Sequence, residues 1–366
     1  MGETLFQLTT KQQNHTILDS CKKTSKKIVL IPAGQQSICF YEYLKTHSID
    51  VEFFVDNNCE KQGKSIDSKP IISFEEFKNI AKDKLIIISS NKIFAEQIAK
   101  QLRENEIEDF IFSTADYICY SPKEIDSAKE LILGKMEVYK KLYTMLEDDL
   151  SKETLINRLN YLITYNPIYL QKILRPAKNQ YFEPEIYPLT ANDSFVDCGA
   201  YDGDTLKQLI EYTNGEIPEY FGFEPDSNNF LALQEISKKS DKLKLINKGV
   251  WNKKTILRFN SNGTSYSQVD NNGNIKVEVT SIDKALLEEK VTFIKMDIEG
   301  SEKEALIGAQ NTIIKQTPAL AISVYHKFND LYEIPFLINE FGVDYKYYLR
   351  HYAENSSETV LYAIPK

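Results

Sequence analysis

The chain has 366 residues, 42% of them hydrophobic and 27% charged, a globular balance with room for two domains of ordinary size. A formal net charge of −9 and a pI near 5.2 argue against nucleic acid as a partner. Cys21, Cys39, Cys59, Cys119 and Cys198 lack CxxC or CxH spacing, which argues against a disulfide framework and a zinc site and for a reducing compartment. No apolar run is long enough for a transmembrane helix, and the polar start "MGETLFQLTTKQQN" reads as neither signal nor transit peptide. A soluble cytoplasmic protein is expected.

Residues 1–26 form a polar lead-in whose basic cluster, "KKTSKK", reads as solvated surface. From residue 27 short apolar runs alternate with helical stretches: strands at "IVLI", "VEFFVD", "KLIIIS" and "DFIFS", and helices at "SICFYEYLKTH", "SFEEFKNIA" and "KIFAEQIAKQLREN". Such alternation implies parallel pairing, so residues 27–119 are read as a small Rossmann-like α/β domain. Its first turn, "PAGQQS", has Gly34 alone where a dinucleotide fingerprint needs three glycines, although Asp56 ends the second strand where a ribose-binding acid sits. The stretch "VDNNCEKQGKSIDSKPIIS" resembles an N-terminal module preceding several bacterial sugar-modifying enzymes, with Ser68-Lys69 where that pattern has a glycine before the proline. A structural or docking domain is the expectation.

Residues 120–180 read as a helical connector with Leu131, Val138, Leu142 and Met145 on one face, packed against a neighbouring domain. The stripe sustains too few heptads for a coiled coil, and a homo-oligomer is left open. "PAKNQYFEPEIYPL" reads as a loop over the entrance of the domain that follows, residues 181–366. There, strands are expected at "SFVDCG", "YFGFEP", "LKLINKGVW", "VTFIKMD" and "ALAISVYH", then at "YKYYLRHY" and "TVLYAIP", whose short connection permits only antiparallel pairing. A hairpin of "TILRF" and "IKVEV" flanks the polar loop "SNGTSYSQVDNNGN". Five crossover strands and a reversed last hairpin make a seven-stranded sheet, the class I methyltransferase architecture.

In "FVDCGAYDGDT", Gly199 and Gly203 bring backbone close to a ligand, while Asp197, Asp202 and Asp204 disfavour a diphosphate by about 3 kcal/mol each at ~5 Å and an effective dielectric near 20. S-adenosylmethionine, a cationic nucleoside without phosphate, fits such a turn. "GFEPD" ends its strand with Glu224, placed for ribose hydroxyls, and Pro225 turns the chain beside it. Gly249, Val250 and Trp251 stand where an adenine would be framed. "FIKMDIEGSE" runs into Asp297 and Glu299 before a helix with the apparent capping box Ser301…Glu304. The helix and turn account for the other residues, not for those two acids.

These stretches, with "ISVYHKFNDLYEIP" and "YLRHY…ETVLYAIP", resemble in order the FkbM family of methyltransferases over residues 180–366. The resemblance implies methyl transfer from S-adenosylmethionine to a hydroxyl of a sugar or polyketide-like product, a carbohydrate being the expected acceptor, with Asp197, Gly199, Ala200, Tyr201, Gly203 and Thr205 at the methionine end of the cofactor, Glu224 at the ribose and Asp297 between cofactor and acceptor. An alcohol must shed a proton. Of His15, His47, His326 and His351, the last two follow strands at the functional end; His326 is the expected base, Asp297 orients it or the acceptor, and His351 is the further candidate. In the rival scheme Asp297, Glu299 and His326 hold Mg²⁺ or Mn²⁺. Glu299, Ser265, Tyr266 and Arg350 are the expected acceptor contacts. A carboxyl or amine acceptor and a non-catalytic scaffold are the alternatives.

Overall fold

The computed structural model describes residues 6–9, 16–90, 92–113, 120–237, 240–259 and 275–366; His15, Cys119, Ser265 and Tyr266 lie outside the described residues. The first sheet contains β1 (Lys27–Ile31), β2 (Val51–Val55), β3 (Ser65–Ile66), β4 (Lys69–Ile72), β5 (Lys84–Ile88) and β6 (Phe110–Phe112), in the order β3-β4-β2-β1-β5-β6. Runs such as "IVLI" and "LIII" suit parallel strands covered on both faces, and every pairing but β3–β4 is parallel. The β3–β4 hairpin escapes the strand–helix alternation because its first strand has two residues. Ser68 takes φ 67° in its turn, the left-handed conformation for which the related pattern uses glycine. Asp56, at the end of β2, is engaged by its own loop: it accepts from the Asn58 amide at 2.8 Å and from Lys61 Nζ at 2.9 Å.

The connector comprises helices Pro122–Leu133, Met136–Met145, Asp149–Thr164 and Ile168–Gln171. The expected stripe is corrected here. Leu142 is buried and Val138 and Met145 pack against the core as expected, but the helix breaks at Gly134, which shifts the phase, so Leu131 is exposed and Ile125, Ala128 and Ile132 take its side of the buried face with Tyr139.

The second sheet holds β7 (Ser194–Cys198), β8 (Glu219–Phe223), β9 (Leu243–Ile246), β13 (Phe293–Met296), β14 (Ala319–Ser323), β15 (Tyr345–His351) and β16 (Thr359–Pro365). Its order is β15-β16-β14-β13-β7-β8-β9, with β16 antiparallel to both neighbours and the other pairs parallel. The segment read as one strand at 243–251 divides: β10 (Gly249–Val250) leaves the main sheet and pairs with β12 (Ile275–Thr280), itself antiparallel to β11 (Thr255–Phe259). Edge strand β15 is covered by the connector. The Leu349 amide donates to Ser151 Oγ at 2.9 Å, and Arg350 donates to both oxygens of Asp148, which precedes helix Asp149–Thr164. One apolar cluster runs from Leu30 and Leu85 through Leu142 and Leu155 to Ile294 and Leu349, so both sheets and the connector share a core.

Candidate active site

The glycine turn follows β7, and its glycines answer to the protein's own packing. A side chain at Gly199, φ 86°, would place its Cβ 2.0 Å from the Asp297 carbonyl oxygen, and one at Gly203, φ 87°, would meet Ile236 at 2.5 Å. These contacts hold the turn tightly against the end of β13 and the helix Ser227–Ser237. At the end of β8, Glu224 accepts from the Tyr201 amide at 3.0 Å and the Asp226 amide at 2.7 Å, which ties its carboxylate to the turn. Burial raises its pKa above the ordinary carboxylate value against the pull of those amides. Asp197 points inward. It is fully buried, 2.9 Å from Lys295 Nζ, and accepts from Tyr220 at 2.7 Å. Lys295 is its register partner on β13 and also donates to the Gly199 carbonyl at 2.8 Å.

A second cluster gathers where β13, β14 and the β15–β16 hairpin end. Asp297 accepts from Tyr181 at 3.0 Å and from Tyr325 at 3.2 Å, and lies 3.3 Å from His326 Nε2. The other ring nitrogen of His326 is 2.9 Å from the buried Glu302. Burial disfavours a charged imidazole, but Glu302, Asp297 and Glu299 outweigh it and push the His326 pKa up to about 10. Asp297 is likewise pushed up by burial, yet His326 and Lys295 hold it below the usual carboxylate range. Tyr325 also donates to Glu358 at 3.3 Å.

Residues 197–350 match the family described as Methyltransferase FkbM domain, and residues 24–110 match that described as C2185-like, N-terminal. Among solved structures, methyltransferase FkbM from Methylobacillus flagellatus KT superposes with a TM-score of 0.69 at 24% identity, over 96% of this chain and 94% of that one. Aeropyrum pernix fibrillarin in complex with natively bound S-adenosyl-L-methionine gives a TM-score of 0.34 at 11% identity, over 51% of this chain and 76% of that one. An S-adenosylmethionine-dependent methyltransferase from Aquifex aeolicus gives 0.31 at 15% identity, over 54% and 97%. No curated protein matches the chain.

The chain carries an FkbM methyltransferase domain.

Its matched residues therefore form a methyltransferase domain, and the donor set there suits S-adenosylmethionine. The acids at the strand ends of the FkbM domain are Glu224 and Asp297, with Asp202 half exposed on the turn. The nearby cations are engaged within the protein: Lys295 by Asp197, Lys327 by the Gly300 carbonyl, and His326 by Glu302 and Asp297. A cationic nucleoside finds carboxylates there rather than a diphosphate clamp. Thr205 and Val250 are buried, Trp251 is half-buried, and Tyr201 and Pro225 are exposed.

Several sequence expectations change. Arg350 is buried and directed at Asp148 and Ser151, so it clamps the connector to β15 instead of facing an acceptor. His351 is fully buried in the β15–β16 ladder, its Nδ1 2.9 Å from Thr359 Oγ1. Burial, with Arg158 nearby, keeps it neutral, and it is a ladder residue rather than a catalytic one. The box Ser301…Glu304 does not form: Ser301 makes no side-chain cap, Glu304 meets Asn252, and Glu302 accepts the Ile298 amide at 2.9 Å. His326 lies between Glu302 and Asp297, whose charges favour the imidazolium and weaken the ring as a base.

The metal scheme changes one of its ligands. Asp297, Glu302 and His326 bring donor atoms within 4.8 Å of one another, while Glu299 stands 3.8 Å from His326. Asp297 and Glu302 lie against opposite nitrogens of the His326 ring. Sequence reasoning missed Tyr181, Lys295, Glu302, Tyr325 and Glu358. The one available signal was Lys295, a charged residue inside the apolar run "FIKM".

The cluster sets the pH dependence of stability. Burial raises Glu358 and Asp330 to about 7, aided by Asp297 and Glu302 respectively, and His326 stands near 10. Each binds its proton more tightly folded than unfolded. Their contribution is complete below the unfolded pKa values and is lost as pH rises through the folded ones. Without cofactor, the urea midpoint is expected to fall steadily from about pH 5 to about pH 10; a flat or rising midpoint across that window contradicts this assignment.

Proposed function

We propose that the FkbM domain transfers the methyl group of S-adenosylmethionine to a hydroxyl of a carbohydrate acceptor: a surface glycan, a glycolipid or a nucleotide-sugar-related molecule. The observation that carries this reading is the polar ring around Asp297, where the hydroxyls of Tyr181 and Tyr325 and the carboxylates of Glu299 and Glu358 converge. A sugar is gripped by such groups through its own hydroxyls. A carboxylate acceptor would meet the ionised Asp297 beside two further carboxyl groups, Glu299 and Glu358, which favours the alcohol over it. The glycan class itself rests on the family resemblance.

The cofactor supplies an electrophilic methyl group on a positively charged sulfur. The chain's part is binding, alignment and exclusion of water. Glu224 takes the ribose hydroxyls; Gly199, Ala200, Tyr201, Gly203 and Thr205 take the amino-acid end; Gly249, Val250 and Trp251 frame the adenine beside Pro225. Tyr181, carried by the loop before β7, fixes Asp297 from one side while the His326 imidazolium fixes it from the other.

The test offers the full chain S-adenosylmethionine with a panel of nucleotide sugars, glycosides, amino sugars and simple carboxylic acids, and reads S-adenosylhomocysteine and methylated product by mass. Methylation of a sugar oxygen is expected, with a rate unchanged by EDTA. Methylation confined to amines, or none on any sugar, overturns the carbohydrate reading, and a rate abolished by EDTA and restored by Mg²⁺ or Mn²⁺ overturns the metal-free scheme.

A further inference from the structure

The mechanism above lacks a proton acceptor. Asp297 is poorly suited, since two tyrosine hydroxyls and an imidazolium already stabilise its charge, and His326 is protonated. Glu358 ends the β15–β16 turn, immediately before β16, at φ 58°, a left-handed conformation that glutamate seldom adopts and that aims a side chain where an extended residue would not. Its backbone carbonyl accepts from the Tyr352 amide at 3.0 Å, which anchors the turn. One carboxylate oxygen accepts from Tyr325 at 3.3 Å and the other from Gln180. Tyr325 has one proton, yet its oxygen lies 3.2 Å from Asp297 and 3.3 Å from Glu358. It can satisfy one carboxylate at a time. Two acids bridged by a single phenol share a charge and separate in proton affinity, the arrangement that divides acid–base roles between paired carboxylates elsewhere.

From this geometry we infer that Glu358 is the group that accepts the acceptor's hydroxyl proton. The inference rests on an alcohol being the acceptor. The groups that face Glu358 are Gln180 and Tyr181 from the loop before β7, Asp297 from the end of β13, and Tyr325 and His326 from the end of β14. Burial and the Asp297 charge raise its pKa to about 7, against Gln180, His326 and Tyr325, so it holds a proton in the resting enzyme and is readily ionised by an incoming cation. In the transfer step the acceptor oxygen gains the methyl carbon, the carbon–sulfur bond breaks with its electron pair on sulfur, and the O–H proton passes to Glu358. That proton leaves to solvent when the product does.

The test separates this inference from the identity of the acceptor. Calorimetric titration of the full chain in buffers of different ionisation enthalpy gives the protons released on binding S-adenosylmethionine and S-adenosylhomocysteine, which differ in charge at sulfur. Near pH 7 the charged cofactor is expected to release about half a proton more than the neutral one. Glu358→Gln keeps the polar shape of the side chain and is expected to abolish that difference while retaining S-adenosylhomocysteine affinity. With a methylated acceptor in hand, it is also expected to lower kcat at least tenfold and remove the acid limb of the kcat profile, with Glu358→Asp restoring part of it. Unchanged proton release and an unchanged pH profile in Glu358→Gln overturn the inference. A difference that appears near pH 10 and survives Glu358→Gln assigns the proton to His326 and overturns it as well. Failure of every sugar acceptor alongside intact Glu358-dependent release overturns the carbohydrate reading alone.

Discussion

Lys295→Met is expected to destabilise the folded protein by about 3–5 kcal/mol, the usual cost of removing one partner from a buried ion pair. Lys295 and Asp197 are register partners on adjacent strands, 2% and 0% exposed at their side chains, with nitrogen and oxygen 2.9 Å apart. Methionine preserves the length and apolar stem of lysine, so packing changes little and the lost charge dominates. Asp197 is then left with the Tyr220 hydroxyl alone. Burial already raises the Asp197 pKa, with Lys295 as the main opposing influence, and without that lysine it rises further. The cost must therefore grow as pH climbs above the ordinary aspartate range, because folding then forces either an unpaired buried charge or proton uptake. Urea unfolding of the cofactor-free protein at about pH 5 and about pH 8 checks both size and slope. The double variant Lys295→Met, Asp197→Asn is expected to recover most of the loss, since the penalty lies in the orphaned charge. A single variant within about 1 kcal/mol of wild type at both pH values would show that the pair is not ionised in the native state. The defect also reaches the ligand, because Lys295 holds the Gly199 carbonyl and so the turn.

What the sequence disclosed and what it hid divide along a physical line. Glu224 and Asp297 were legible because each ends an apolar strand and meets a local turn, so a few adjacent residues fix its place. The reversed last hairpin was legible because its connection is too short for a crossover. The second cluster is built from residues far apart in the chain: Tyr181 and Asp297 are 116 apart, and Gln180 and Glu358 are 178 apart. Local pattern has no access to such pairs. Arg350 misled for the same reason, its partner Asp148 lying 202 residues earlier. The capping pattern Ser301…Glu304 misled differently. Two acids, Glu302 and Glu304, offered the same local chemistry, and tertiary contacts with His326 and Asn252 decided their roles.

Asp297→Asn is expected to weaken S-adenosylmethionine binding roughly a hundredfold, with S-adenosylhomocysteine affected far less. A unit charge about 5 Å from a cation at an effective dielectric near 20 contributes about 3 kcal/mol, and only the first ligand carries that cation at sulfur. Asparagine keeps the shape and an oxygen that accepts from Tyr181 or Tyr325, and Glu302 still holds His326, so the fold should survive. The imidazolium, however, loses its counter-charge on the mouth side and repels the cofactor's sulfur. Methyl transfer should fall by at least the same factor. A second consequence separates this account from a simple packing defect. Asp297 is a charge that raises the Glu358 pKa, so its neutralisation should move the acid limb of the residual activity downward in pH. Equal losses of affinity for both ligands, with no displacement of that limb, would leave Asp297 a structural residue and remove the electrostatic basis for placing the reacting sulfur beside it.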